Sequence, residues 1–309
     1  MFNEAQQGTR PFQLIGELMN NSFARARRAW SDRNLAGYQH LARLQTELGA
    51  CALTINLDGT QKLRVRPEEM IEFIPEVVPA IQEVSPLPLA FDNPWIDFHR
   101  SCLEVYDHER GGPAIFNSLA ASRENLDGMF ELIAEFDTHV IVMASEKFAG
   151  GGSGQCFAPE EVHHSAKEFV EMLATKAGRT NDQIIIDPGL APISADTYGL
   201  VNMGLDAMRL IRADPDLKGV HLSVGLTNFS FGVPQNIREG LENAYVTLGV
   251  EAGLNYALAN PEKDLHLLDE DDRYLLVVKQ ALQEGRPAEG GSQEEAGFCQ
   301  SARIMDLYR

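Results

Sequence analysis

The sequence predicts an α/β fold of the (β/α)8 TIM-barrel type, and three observations predict it. Eight short apolar runs are spaced fairly evenly along the chain, and the segments between them repeat apolar residues every three to four positions. Polar residues also gather where the apolar runs end. With 309 residues the chain is long enough for one barrel with a large core.

The runs are QLIGEL, ALTINL, LPLAFD, AIFNSLA, HVIVMA, QIIIDPG, VHLSVGLTN and LNYALAN. They are nearly continuous in apolar residues, as strands of a parallel sheet must be when helices cover both faces. The first crossover is RARRAWSDRNLAGYQHLARLQTELG, and PEEMIEFIPEVVPAIQEV, SRENLDGMFELIAEF, APEEVHHSAKEFVEMLATKAG and PQNIREGLENAYVTLGVEAG follow in order. Each carries apolar residues at helical spacing. After the fifth run, MASEKFAGGGSGQCFAPEE reads as a mobile rim loop. Its GGGSG lacks the Gly-Lys-Ser/Thr ending of a phosphate loop. Beyond Pro261 the sequence suggests a helix around DEDDRYLLVVKQALQEG and then a polar tail. The division expected is a barrel over residues 1–262, with residues 263–309 attached as a C-terminal helix and tail.

Composition narrows the function classes. Lys and Arg total 26 against 45 Asp and Glu, a formal net charge of -19 that repels nucleic acid and anionic membrane surfaces. No run reaches membrane-spanning length and the first residues do not read as a secretory leader, so a cytoplasmic protein is expected. Cys51, Cys102, Cys156 and Cys299 are scattered without a Cys-x-x-Cys or Cys/His grouping, and no compact metal-ligand motif is present.

In a barrel all strand ends reach one carboxyl face. That geometry would gather Asp92 of LAFDNP, Asn117 of IFNS and Asp187 of IIIDPG at one mouth. Two carboxylates and an amide suit a planar ligand with neighbouring N–H donors and ring acceptors, such as the 2-amino-4-oxopyrimidine edge of a pterin. The same residue types could also hold a divalent cation. The seventh run ends in VGLTNFSFGVP, a strand running into a polar loop with Thr227 and Asn228 bracketed by glycines.

The ordered set IGELMN, LTINLDG, LAFDNP, IFNSLA, IIIDPG, GLTNFSFGVPQ and GLNYALANP resembles the pterin-binding barrel family across residues 10–262. It is most similar to methyltetrahydrofolate:corrinoid methyltransferases and the folate domain of cobalamin-dependent methionine synthase. The resemblance implies pterin binding by Asn56, Asp92, Asn117 and Asp187, with Thr227 and Ser230 as further substrate-binding hydroxyls. It implies that Asn228, in the position of the family's G-L-S-N-x-S asparagine, acts beside nitrogen 5 of tetrahydrofolate as the catalytic residue. The family's first strand commonly ends G-E-R, where this chain has Gly16, Glu17 and Leu18.

The implied reaction moves a methyl group between tetrahydrofolate and a corrinoid. Asp137-Thr138-His139 and Asp264-Leu265-His266 lack the glycine of the D-x-H-x-x-G cobalamin motif, so the cobalamin or related corrinoid is expected on a separate partner protein. A homodimer is expected from the family. The alternative pterin enzyme, dihydropteroate synthase, has a strand-two phosphate loop and a late Ser-x-Arg-His-like ending that are not evident in this chain. Other classes are a corrinoid-dependent methyltransferase of a non-folate compound, a non-enzymatic folate-binding module, and a barrel whose polar strand ends serve only as caps.

Overall fold

A computed structural model describes residues 11–308; the first ten residues of the expected 1–262 unit, including most of the N-terminal stretch read for a leader, and Arg309 lie outside it. All eight apolar runs form the strands of one closed barrel. They are β1 Gln13–Asn20, β2 Ala52–Asn56, β3 Leu89–Asp92, β4 Ala114–Leu119, β5 Thr138–Met143, β8 Ile184–Asp187, β9 His221–Gly225 and β10 Tyr256–Ala259, with β6 and β7 described below. Neighbours run β1-β10-β9-β8-β5-β4-β3-β2, and every barrel pairing is parallel. The fold is a (β/α)8 TIM barrel.

Helices fill the crossovers: α1 Ala24–Ser31, α2 Leu35–Glu47, α3 Pro67–Gln82, α4 Ile96–Val105, α5 His108–Gly111, α6 Leu126–Glu135, α7 Pro159–Ala177, α8 Leu200–Ala213 and α9 Gln235–Ala252. Helix α3 shows how the pattern wins over local chemistry. Pro75 and Pro79 lie inside it and each removes an intrahelical N–H donor. The helix nevertheless continues, because Met70, Phe73, Ile74, Val77, Val78 and Ile81 bury one face against the barrel.

Inside the barrel the strands stack two tiers of unlike character. Ile15, Ala52, Ala90, Ile115, Ile141, Ile185 and Tyr256 form a buried apolar cluster of their own. Two residues further along a strand the side chain returns to the same side of the sheet. Those positions are Glu17 on β1, Thr54 on β2, Asp92 on β3, Asn117 on β4, Met143 on β5, Asp187 on β8 and Leu258 on β10, mostly polar, and Asn56 ends β2. An apolar floor therefore carries a polar tier at the carboxyl end.

Two expectations about the connections are corrected. The glycine-rich stretch after β5 forms an antiparallel ribbon, β6 Glu146–Ala149 paired with β7 Gly152–Gln155. Gly150 and Gly151 turn it with φ of 57° and 86°, values that favour glycine. The polar C-terminal tail is also largely helical. After α10 Arg273–Glu284 comes α11 Gln293–Ile304, started by the Ser292 side chain, which accepts from the Glu295 N–H at 3.1 Å. Helix α11 buries Ala296, Gly297, Gln300 and Ile304, a face that charged neighbours conceal in the sequence. Among the described residues no helix is long and apolar enough to cross a membrane.

Candidate functional site

The polar tier is linked strand to strand. Asp92 and Asn117 are register partners on β3 and β4, and Met143 pairs with Asp187 across β5 and β8. The Asn56 side chain donates to an Asp92 carboxylate oxygen at 3.2 Å and accepts the Asp58 N–H at 3.0 Å. Asn93 donates to the Asp58 carboxylate at 2.6 Å, and the Asn93 N–H is held by the Asn117 carbonyl at 3.0 Å. The ends of β2, β3 and β4 thus form one continuous hydrogen-bonded corner.

Across the mouth, the Asp187 carboxylate accepts the Gly189 N–H at 2.7 Å. Gly189 has φ of 83° and a Cβ there would stand 2.7 Å from the Ser145 Cβ, so the chain turns tightly over the carboxylate only because no side chain intervenes.

Burial sets the electrostatics of this tier. It raises Asp187 to about 7, against the opposing pull of the Gly189 N–H. Burial also raises Asp92 to about 6, with the Asn56 hydrogen bond opposing and the nearby Asp58 charge adding to the rise. Asp58 is raised for the same leading reason. Arg123 supplies a half-buried positive charge to this corner. It donates to the Ser118 carbonyl at 3.0 Å and to the Ser118 hydroxyl at 3.1 Å, and its field reaches Asp92 and Asp58. Carboxylates so perturbed favour a ligand that brings N–H donors, because those donors stabilise the ionised form.

The loop after β9 completes the mouth. Residues Leu226–Asn228 form a single 3-10 turn. A Cβ on Gly225 would lie 3.1 Å from the Asn228 amide nitrogen, so glycine before the Thr-Asn pair leaves that side chain room close to the strand end. Asn228 is exposed, and its side chain makes no hydrogen bond to another described residue. Thr227 is half-buried and donates its hydroxyl to the Glu17 carboxylate on β1. Ser230 is buried and donates to Glu242 of α9, which also binds Lys263 through both carboxylate oxygens at 2.6 Å. Its hydroxyl is thus engaged in an ionic cluster behind the loop rather than held open at the mouth.

The structure therefore brings Asn56, Asp92, Asn117 and Asp187 to one tier, with Thr227 and Asn228 at its rim. Sequence reasoning assigned no site role to Glu17, which it matched only as part of the G-E-R motif, nor to Asp58, Asn93 and Arg123. Asp58 and Asn93 lie within two residues of Asn56 and Asp92, so adjacency was an available signal. Nothing in SRENLDG distinguishes Arg123 before its contacts are seen. Glu17 is buried with burial lifting it to about 7, the Thr227 hydrogen bond and Lys263 opposing and Glu242 and Asp92 adding to the rise. Among the described residues no three His, Cys, Asp or Glu side chains group as a metal site.

A family model described as pterin binding enzyme matches residues 20–260, nearly the whole barrel and every residue of the polar tier except Glu17. The chain belongs to the pterin-binding enzyme family. This pterin-binding barrel is 24% identical over 252 residues to the methylcorrinoid:tetrahydrofolate methyltransferase of Eubacterium limosum, covering 80% of this chain and 84% of that one. It is 25% identical over 264 residues to the methionine synthase of Mycobacterium leprae (strain TN), covering 82% of this chain but only 20% of that larger protein. Among solved structures, the Vibrio fischeri 7,8-dihydropteroate synthase superposes with a TM-score of 0.58 at 14% identity, covering 96% of this chain and 94% of that one. The Yersinia pestis dihydropteroate synthase, solved with a sulfonamide drug, gives 0.57 at 15% identity, covering 97% and 95%. At that identity the likeness is one of fold.

Proposed function

We propose that this enzyme moves a methyl group between a corrinoid protein and nitrogen 5 of tetrahydrofolate. The observation that carries the reading is the polar tier. Asp92, Asn117 and Asp187 offer acceptors and an amide around one mouth, above an apolar floor that suits a flat ring, and the exposed amide of Asn228 stands at the rim. Similarity to the Eubacterium limosum methylcorrinoid:tetrahydrofolate methyltransferase supports the methyl-transfer chemistry over other uses of a pterin pocket.

In this reading Asp92, Asn117 and Asp187 bind the pyrimidine edge, and Asn56 fixes the Asp92 carboxylate. Asn228 polarises nitrogen 5 through its amide, which can donate or accept but does not itself ionise. Thr227 lies at the same rim. The corrinoid, carried by a separate protein, supplies or receives the methyl group. The chain's own contribution is alignment of the pterin, since transfer needs donor, methyl and acceptor in line.

The reading includes a cytoplasmic setting and a homodimer with its barrel mouth open to the corrinoid partner. Sedimentation should give a dimer mass, and a concentration-independent monomer would remove that element. The function itself is tested by tetrahydrofolate titration followed by stopped-flow absorbance with methylcobalamin. Binding with folate-dependent transfer supports it. Binding without transfer would favour a folate-binding module, and the absence of both would favour a different methylated substrate.

A further inference from the structure

Methyl transfer at an amine nitrogen moves a proton as well as a carbon. The Asn228 amide can polarise nitrogen 5 but cannot hold that proton through a turnover.

Glu17 is a buried acid hydrogen-bonded to the loop that carries Asn228. It sits on β1 in the same inward row as Asp92, Asn117 and Asp187, and it accepts the hydroxyl of Thr227, the residue immediately before Asn228. That contact crosses the barrel wall from β1 past β10 to the loop that follows β9. The charged groups facing Glu17 are Lys263, which favours the carboxylate, and Glu242 and Asp92, which disfavour it. Lys263 is itself paired with Glu242 through both oxygens at 2.6 Å, so it offers Glu17 no private counter-ion.

We propose that Glu17, acting through the Thr227 hydroxyl, is the proton reservoir for nitrogen 5; this rests on the methyl-transfer function proposed above. When methyltetrahydrofolate is made, the nitrogen 5 lone pair forms the bond to the methyl carbon of the methylated corrinoid. The bond from that carbon to the corrinoid breaks and its electron pair stays with the corrinoid. Nitrogen 5 then carries one proton too many. It passes to the Thr227 oxygen as the Thr227 hydroxyl proton moves to the Glu17 carboxylate, leaving Glu17 neutral. The opposite direction returns the proton along the same path. Burial, which raises Glu17 to about 7, keeps both of its forms accessible near neutrality.

The test is single-turnover transfer from methylcobalamin to saturating tetrahydrofolate across the neutral pH range, with folate affinity measured in parallel. In this direction the carboxylate form accepts the proton, so the parent's rate should climb as pH rises through Glu17's titration. Glu17→Gln keeps a partner for Thr227 but cannot take up the proton. It should retain folate affinity, lose about 100-fold in rate near neutrality and flatten the pH profile. Thr227→Val should flatten the profile in the same way, and Thr227→Ser should restore it. An active parent with a Glu17→Gln variant of equal rate or unchanged pH slope overturns the inference and leaves the function standing. A parent that binds folate and transfers nothing overturns both. Should Glu17→Gln not fold, Thr227→Val decides, and an unaltered pH profile there overturns the reservoir.

Discussion

The Asn56 side chain on β2 donates to the Asp92 carboxylate on β3 at 3.2 Å while its own oxygen holds the Asp58 N–H at 3.0 Å. Asn56 thus fixes which way Asp92 presents its acceptors. Removing it would leave Asp92 free to rotate and without a donor that favours its ionised form. Asn56→Ala should weaken tetrahydrofolate binding by about 1–2 kcal/mol, roughly tenfold, while the barrel stays folded. Calorimetry checks this, and an unchanged dissociation constant would show that Asp92 needs no such orientation.

Folate binding should depend on pH in a direction set by the two raised carboxylates. Asp187 is lifted to about 7 and Asp92 to about 6, and ligand N–H donors stabilise their ionised forms. Binding therefore releases protons, and affinity falls as pH drops from 8 to 5. In the unliganded protein the sign is opposite. A carboxyl raised on folding contributes stability below its unfolded value, and that contribution is lost as pH rises through the folded one. Calorimetry in buffers of different ionisation enthalpy should register proton release near pH 7, and Asp187→Asn should diminish it. Equal proton release in parent and variant would contradict the assignment.

Helix α11 should stabilise the loop behind Asp187. A Cβ on Gly297 would stand 2.7 Å from both the Asp196 carbonyl oxygen and the Thr197 Cα. Nearby, Ser301 donates to the Ser194 carbonyl at 2.9 Å and Gln300 to the Ile193 carbonyl at 3.3 Å. The Ile193 N–H in turn reaches the Phe229 carbonyl at 3.1 Å, next to Asn228. Gly297→Ala must push the helix off this loop and should cost about 1–3 kcal/mol in urea unfolding. Phe298→Ser, at an exposed neighbour, should change stability by no more than about 0.5 kcal/mol. Equal effects of the two would show that the close approach is not under strain when filled.

What was legible in the sequence follows from barrel geometry. Asp92, Asn117 and Asp187 could be placed together because parallel strands bring their carboxyl ends to one face whatever the loops do. Glu17 was harder to read, since its contact with Thr227 exists only once β1, β10 and β9 close the wall. Ser230 had the right residue type at the right spacing, yet Glu242 on α9 takes its hydroxyl, a partner that only packing reveals. The glycine-rich stretch after β5 carried no alternation of apolar residues, so its pairing as a ribbon came from backbone turns at Gly150 and Gly151. Helix α11 hid because its buried face carries one large apolar side chain, Ile304, beside Ala296, Gly297 and Gln300.

The most direct measurement is single-turnover methyl transfer from methylcobalamin at saturating tetrahydrofolate, run on the parent and on Asn228→Ala beside direct folate affinities. Asn228 lies at the rim with its amide exposed, whereas the two acids and Asn117 sit in the tier below. Its loss should remove a transition-state hydrogen bond of about 2–4 kcal/mol, slowing transfer by roughly 30- to 1000-fold with most of the affinity kept. A parent that shows no folate-dependent transfer, or an Asn228→Ala variant that transfers at the parent's rate, would contradict the account.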